Sequence, residues 1–418
     1  MGATHARTPI RIERSDILGR YYTKHDIGAA LVAHMGRLTP THLLDLGSGT
    51  GSLSYAALSQ WRDVRLLTVD IDAQSRQQIS KLLPADARYI HRHICADALC
   101  SDLPNILSAR FERIDTGVCN PPFITPRWRR GFAAILEDAG FSNCLPVIRE
   151  ANAALLFLAQ NLRVLSPHAT LGIILPDTLM SGVRYEPFRR ELLRRYCVHK
   201  AVRLPRYSFQ GTDALAHILI VSKGAGTQRD VSLQLLDVGL SSDESMIRVD
   251  PSRAAVRLDF LYHSSATVHS TGLRPAAKLG DICTDVSRGT LTTGDVRSSG
   301  IAAFHTTDIN CAWMGSWKNL PDSQRASSRV GIAVQAGDIL MARVGRNLQK
   351  KIIGVNRGGI EITDCLYRIR VPTPWQRHVL ADLTSVAGQR WLESRIHGVS
   401  ARQLTKADLL QFPVRKPN

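Results

Sequence analysis

Through roughly the first 220 residues, short apolar runs alternate with stretches in which apolar residues return every three or four positions. Residues 27–35 read as a helix, 43–46 as a buried strand, and a second helix begins near Leu53. Strand-like runs return at 65–70, 88–95, 114–119, 170–176, 199–204 and 215–221. Between them, 150–165 carries an amphipathic helical pattern and 186–196 a helical, basic one. This alternation predicts an α/β fold with a parallel-rich sheet and crossover helices. The texture changes around 237–265, where Ser241 to Ser245 read as an exposed loop. Beyond it the strands are shorter, glycine turns more frequent, and a helical end begins near Thr384. A boundary near residue 240 is expected, with an α/β domain over 1–240 and a mixed α+β domain over 241–418.

The strand at 114–119 ends in a tetrapeptide that cannot continue it, Asn120-Pro121-Pro122-Phe123. Two successive prolines have no N–H to give a ladder and both fix φ, so the chain must leave the sheet at Asn120. An amide side chain, backbone carbonyls and an aromatic ring are thereby set at a strand's carboxyl end. Open α/β sheets bind ligands at that edge. The cluster suits chemistry on a planar amino group. The Asn120 side-chain oxygen and the Pro121 carbonyl each accept one hydrogen of an –NH2, and Phe123 stacks on the ring that carries it. Taken alone, the tetrapeptide is equally compatible with a plain proline-rich turn.

Upstream, Asp45-Leu46-Gly47-Ser48-Gly49-Thr50-Gly51 leads from a strand through a glycine-rich turn into a helix. The spacing is DxGxGxG, not the GxGxxG of dinucleotide binders. The glycines let a ligand approach the backbone closely. Asp45 would repel a pyrophosphate and suits a cationic, amino-acid-bearing cofactor such as S-adenosylmethionine. Asp70 ends the next strand, about 20 residues on, where a ribose-hydroxyl acceptor is expected. Asp72 is the competing candidate. Asp97, followed by Ala98, closes the third strand and suits an adenine amino group. Ahead of the first helix, the stretch from Gly19 through Tyr22 and Thr23 suits carboxylate and ring binding. After the tetrapeptide, Arg127, Arg129 and Arg130 surround Trp128 in a loop that suits phosphate contacts. Phe209 falls in a loop between two strands and is a candidate to stack on a base from the other face.

Charge narrows the class of partner. Lys and Arg outnumber Asp and Glu by 53 to 36, a formal net charge of +17. That excess points to a polyanion, most often nucleic acid. Arginine predominates over lysine, and its planar fork suits phosphates and guanine edges. No run approaches the roughly 20 apolar residues of a membrane span, and the first residues show no apolar signal region. A cytoplasmic, nucleoid-associated chain without a membrane partner is expected. The eight scattered cysteines include no CxxC pair and are expected to be reduced. His91-Arg92-His93-Ile94-Cys95 lacks a second ligand pair at zinc spacing, so no metal is expected and the histidines read as solvated strand residues.

With these residues in place, the chain resembles the gamma-class N6-adenine DNA methyltransferases, including the modification subunits of type I restriction systems. It shares their order of motifs. The resemblance implies a Rossmann-like S-adenosylmethionine-dependent methyltransferase sheet over 1–240 and a DNA target-recognition domain over 241–418. It assigns Asn120, Pro121, Pro122 and Phe123 to catalysis, and Phe123 and Phe209 to the target base. Tyr22, Thr23, Asp45, Gly47, Gly49, Gly51, Asp70, Asp97 and Ala98 fall to the cofactor. Lys24 stands where the family usually has proline. Leu279 to Ile282, Gly337 to Met341 and Gly398 to Leu404 resemble one half of a type I specificity subunit, with Arg343 and Arg346 facing DNA beside the arginines of the Trp128 loop. The implied activity is methyl transfer from S-adenosylmethionine to N6 of an adenine flipped out of duplex DNA. It belongs to a restriction-modification or related defence system, with double-stranded DNA and restriction or specificity subunits as partners. The same motifs also fit an enzyme of this fold acting on RNA, a cytosine N4 amine or a protein glutamine, and a specificity subunit without activity.

Overall fold

The computed structural model describes residues 25–83, 88–111, 113–145, 147–209, 213–224, 230–236, 246–271, 277–299, 302–322, 331–398 and 402–415. The chain divides into two compact units, one of 1–174 with 208–212 and 222–224, the other of 175–207, 213–221 and 225–418.

The first unit is built on parallel strands: β1 (His42–Leu46), β2 (Arg65–Asp70), β3 (Ile90–Cys95), β4 (Thr116–Cys119) and most of β5 (Thr170–Pro176). Their order is β3-β2-β1-β4-β5. Every residue of β4 is buried, as is every residue but the first in β1 and β2. Such runs belong to a parallel sheet covered on both faces. Helix α1 (His25–His34) precedes the sheet, and α2 (Ser52–Gln60), α3 (Ser75–Leu82), α4 (Leu103–Ser108), α5 (Gly131–Asp138) and α6 (Ala153–Val164) occupy the connections. Because β1 has β2 on one side and β4 on the other, strand order reverses there, and a crevice opens beyond the carboxyl ends at such a point. α1 reaches β5 where Gly172 leaves room. A Cβ there would lie 2.7 Å from Met35 Sδ and 2.8 Å from Leu31 Cδ2.

Two readings are corrected in this unit. The helix expected over 150–165 is not amphipathic. A 3-10 turn at Ile148–Glu150 precedes it, and α6 buries every residue from Ala153 to Leu162. Its polar residues are satisfied inside: Gln160 Nε2 donates to the carbonyls of Ala98 (3.0 Å) and Cys100 (2.7 Å), and Asn161 Nδ2 to that of Phe157 (2.9 Å). Nor are His91 and His93 solvated. Both are half-buried and share hydrogen bonds with Thr68 Oγ1 (2.9 and 2.8 Å), and burial pushes the His91 pKa down to about 4.

The second unit begins at the end of β5 and holds α7 (Asp177–Ser181), α8 (Glu186–Arg195), β6 (Cys197–Arg203), most of β7 (Ala216–Ser222), β8 (Val231–Leu235) and β9 (Met246–Val249). The order is β7-β6-β8-β9, with β8 and β9 antiparallel. The boundary expected at 240 therefore falls between two paired strands within one unit. Buried charges carry the packing past that point. Arg189 of α8, in the stretch read as helical and basic, is fully buried. It donates to four carbonyls: Ala255 (2.9 Å), Leu179 (3.0 Å), Gly182 (2.9 Å) and Val256 (2.5 Å). Asp177, His217 and Asp259 bring potential ligand atoms within 4.8 Å of one another, and a cation, the Arg203 guanidinium, already stands among them, 3.8 Å from Asp177. Arg203 pairs with Asp259, to which His217 Nε2 also bonds at 3.0 Å. Burial alone would raise the Asp259 pKa, yet these partners hold it far below the carboxylate range.

Farther along, Asp285–Arg288, Leu366–Arg370, Ile339–Ala342, Ile352–Arg357 and Trp317–Asn319 form a five-stranded sheet in that order, antiparallel except for the last pair. Its core is Ile339, Leu340, Ile353 and Ile369 packed with Leu380, Leu383 and Trp391. The last three come from helices Thr373–Thr384 and Val386–Arg395. The mixed α+β texture expected here is present, but Thr384 ends a helix instead of beginning one. Ser385 Oγ accepts from Gly388 N (3.0 Å) and starts the next. No described helix is long and apolar enough to cross a membrane, and the eight cysteines are free.

Candidate active site

A cavity of about 330 Å³ opens in the first unit at the carboxyl ends of β1, β2 and β4. Of the residues singled out in the sequence, Asp45, Gly47, Gly49, Asp70, Asp97, Ala98, Asn120, Pro122 and Arg129 line it. Tyr22 and Thr23 lie outside the described residues.

The glycine-rich turn has a backbone that side chains disfavour. Gly47, Gly49 and Gly51 take φ of 76°, 50° and 90°. At Gly47 space is closed as well, since a Cβ would meet Phe157 Cε1 at 2.8 Å. The amides of Gly47 and Ser48 donate to the Val69 carbonyl (2.8 and 3.1 Å), binding the turn to the end of β2. Gly51 caps α2 without a side-chain hydrogen bond. A helix start of this kind has first-turn N–H groups to offer a ligand.

Asp45 is 1% exposed and accepts the Ser54 hydroxyl at 2.6 Å. Burial, with the neighbouring Asp70 adding to it, pushes its pKa up to about 7. A cation placed beside it would restore its charge. Asp70 turns both oxygens to backbone: Oδ2 accepts from Gly49 N (2.7 Å) and Oδ1 from Asp72 N (2.8 Å). Each oxygen keeps a lone pair for a hydroxyl. The competing Asp72 is outside the cavity lining and accepts from Gln74 N at 2.9 Å. Asp97 Oδ1 accepts from Leu99 N (2.8 Å), and Oδ2 pairs with Arg129 Nη1 at 2.5 Å. Arg129 is thus turned towards the cavity, its guanidinium 4.7 Å from the Phe132 ring centre. Arg127 and Arg130 are exposed and outside the lining.

Asn120 follows β4 on the floor of the same cavity, and the Ile124 carbonyl, four residues on, accepts from Ala153 N at the start of α6 (2.8 Å). The buried Cys119 thiol donates to the Leu46 carbonyl at 3.1 Å, and burial raises its pKa well above the usual range. Phe123 meets Phe209 edge to face, with centroids 5.9 Å apart and planes at 79°, although 85 residues separate them. Phe209 is buried. In the second unit, Arg343 is half-buried and donates from Nε to the Asp364 carbonyl (2.8 Å). Arg346 is 79% exposed, 3.6 Å from Asp213. The sequence reading missed the apolar walls: Leu53, Ile71, Leu99, Ile124 and Phe157. Only the tight glycine turn hinted that a large side chain would fill the space opposite.

Three carboxylates stand at successive strand ends, beside a glycine turn and an open helix start. The set offers an acid for a cation, an acceptor for ribose hydroxyls and an acceptor for an adenine amino group. These residues fit S-adenosylmethionine.

Comparison with known proteins agrees. The N-6 DNA Methylase family model matches residues 13–245, more than half of the chain. A curated relative, the tRNA1(Val) (adenine(37)-N6)-methyltransferase of Vibrio parahaemolyticus, is 33% identical over 99 residues, 23% of this chain and 38% of its own. Among solved structures, the type IIG restriction endonuclease BpuSI is similar over 96% of this chain and 59% of its own, with TM-score 0.54 and 12% identity. A type I restriction-modification methyltransferase subunit from Streptococcus thermophilus covers 62% of this chain and 54% of its own, with TM-score 0.43 and 21% identity. The chain therefore spans well under two thirds of these relatives, and the structural likeness is one of fold. By sequence family and by its Rossmann-like sheet, the chain belongs to the N-6 DNA methylase family, whose cofactor is S-adenosylmethionine.

Proposed function

We propose that the chain transfers the methyl group of S-adenosylmethionine to N6 of an adenine in duplex DNA, as the modification activity of a restriction-modification or related defence system. One observation carries the reading. Asn120 and the strand-end acids Asp45, Asp70 and Asp97 line a single cavity at the switch point of the sheet. The bound cofactor supplies an electrophilic methyl group. The protein's task is to make a poor nucleophile attack it, because the adenine N6 lone pair is delocalised into the ring. The Asn120 side-chain oxygen and the Pro121 carbonyl accept the two N–H hydrogens. That draws the nitrogen towards tetrahedral geometry and spreads the positive charge that develops there. No base is needed before attack, since the proton leaves afterwards. Burial keeps the nearest thiol, Cys119, protonated and out of the chemistry. A stacked base is out of reach, so the adenine is flipped and held against Phe123, which Phe209 buttresses. In this reading Tyr22 and Thr23 complete the cofactor site, residues 241–418 include the target-recognition part, and Arg127, Arg130, Arg343 and Arg346 meet DNA.

A second reading has a specific basis. The curated relative methylates an adenine N6 in tRNA, as its name says, and a net charge of +17 suits RNA as well as DNA. Labelled methyl transfer to mixed-sequence duplex DNA, with digested nucleosides identified by mass, separates the two. N6-methyladenine in DNA is the expected product. N4-methylcytosine would move the base assignment. Labelling of RNA but not DNA would overturn the proposal in favour of the second reading.

A further inference from the structure

A second cavity, of about 830 Å³, lies in the first unit away from the active site. Its walls come from the amino-terminal edge of the sheet: Thr41 and His42 where β1 starts, Arg65 where β2 starts, Arg88 and Ile90 where β3 starts, and the segment after α4. Strands of five or six residues put about 17–20 Å between this edge and the carboxyl ends. Four arginines line the cavity, Arg65, Arg88, Arg110 and Arg113, and all are exposed. Among the described lining residues, Asp63 is the only acid. The nearby Asp115 carboxylate is already engaged, accepting from Thr41 N (3.1 Å) and the Thr41 hydroxyl. A fifth exposed arginine, Arg92, has its guanidinium 6.0 Å from the ring centre of Phe111, which is also in the wall. None of Arg65, Arg110 and Arg113 is held in an ion pair among the described residues.

The like charges of Arg65, Arg110 and Arg113, gathered round one cavity, repel one another. The arrangement becomes favourable when phosphates enter it, because guanidiniums bind them bidentately. The cavity is open and broad rather than a slot for one anion, which fits a polymer backbone better than a free ion. We propose that the amino edge of this sheet is a second phosphate-binding surface, which takes the backbone of duplex DNA flanking or remote from the segment in the active site. The proposal rests on the methyltransferase reading only in its choice of DNA. A stiff duplex of about 12 base pairs lying across the active site cannot also turn onto the opposite edge of the sheet, because bending so short a length is costly. A longer one can, by bending or by presenting a second segment.

The test is the salt dependence of binding, measured by fluorescence anisotropy on duplexes of about 12 and about 60 base pairs. The full chain is compared with Arg65→Gln/Arg110→Gln/Arg113→Gln and with the corresponding triple lysine variant. Each phosphate contact contributes about 0.9 to the slope of log K against log salt. The glutamine variant should lose about 2–3 from the slope on the long duplex and nothing on the short one, and the lysine variant should keep it. Equal slopes for wild type and the glutamine variant on the long duplex would overturn the proposal. So would an equal loss on both duplexes, which would put these arginines on the main DNA path, or a loss seen with long RNA alone. Binding is read without turnover. A chain that failed to methylate DNA while showing the length-dependent loss would sink the proposed activity and leave this surface standing, and the converse result would do the reverse.

Discussion

Replacing Asp45 with asparagine tests whether a buried acid is the cofactor's electrostatic partner. The side chain keeps its size and still has an oxygen for the Ser54 hydroxyl. In the fold, burial, with Asp70 adding to it, raises the Asp45 pKa from 3.8 to about 7. About three pKa units correspond to roughly 4 kcal/mol of cost for ionising this group inside the protein. The sign follows from proton binding. Between pH 4 and 7 the native state holds a proton that the unfolded chain has lost. The favourable contribution is therefore complete below pH 4 and is lost as pH rises through 7. The substituted amide never ionises, so the variant should melt close to wild type only below about pH 4, where the carboxyl is protonated in both states, and several degrees above it at pH 8, at about 2–4 °C per kcal/mol or somewhat less for a chain this long. The cofactor reverses the preference, because a cationic ligand offsets the cost of ionisation through its own attraction to the carboxylate. Wild-type affinity for S-adenosylmethionine should climb between pH 5.5 and 7, by up to about tenfold per unit at the low end. The variant should be pH-independent over that range and weaker at pH 8. Differential scanning fluorimetry and titration calorimetry read the two effects separately. A wild-type affinity that is flat with pH, or a variant no more stable than wild type at pH 8, would refute the reasoning.

Asn120→Ala should cut methyl transfer by at least about 100-fold, the usual cost of losing a group that stabilises transition-state charge, and leave cofactor affinity nearly unchanged. Parallel loss of both, by single-turnover kinetics and calorimetry, would remove Asn120 from catalysis. Asp70→Ala should weaken cofactor binding about 10- to 100-fold, since it removes a charged acceptor and also releases Gly49 N. Undiminished affinity would count against the ribose role. Arg189→Met strands three buried carbonyls and the half-buried one of Val256, so the variant should lose on the order of 3–5 kcal/mol in urea denaturation. An unshifted midpoint would show that those carbonyls find other partners.

The site was legible in the sequence wherever backbone chemistry dictated it. Two prolines end a strand whatever surrounds them, and a DxGxGxG turn needs left-handed φ at each glycine, so Asn120, Asp45, Gly47, Gly49 and Gly51 could be placed before any tertiary contact was known. Strand-end acids followed from the ends of apolar runs. What the sequence concealed depends on who buries whom. Gln160 and Asn161 give α6 a polar stripe, and only the carbonyls of Ala98, Cys100 and Phe157 explain how that stripe sits inside. Arg189 looks like its exposed neighbour Arg190, and its four partners lie up to 67 residues away.

The arginines after the tetrapeptide show the same limit at the site itself. Composition marks Arg127, Arg129 and Arg130 alike as phosphate contacts, yet the structure sends Arg129 alone to Asp97. Both Asp97 oxygens are then occupied, one by Leu99 N and one by the guanidinium. In the proposed function, an adenine amino group must share Oδ2 with Arg129 or displace it. Displacement is cheap. The arginine side chain is 51% exposed, and ion pairs this exposed contribute about 0–1 kcal/mol. The face of Phe132 remains as an alternative resting place, worth roughly as much. Asp97 can therefore serve the cofactor without a large barrier from its present partner. Arg129, once released, rejoins the basic loop with Arg127 and Arg130, so the adenine acceptor expected at Asp97 and the phosphate contact expected at Arg129 are compatible.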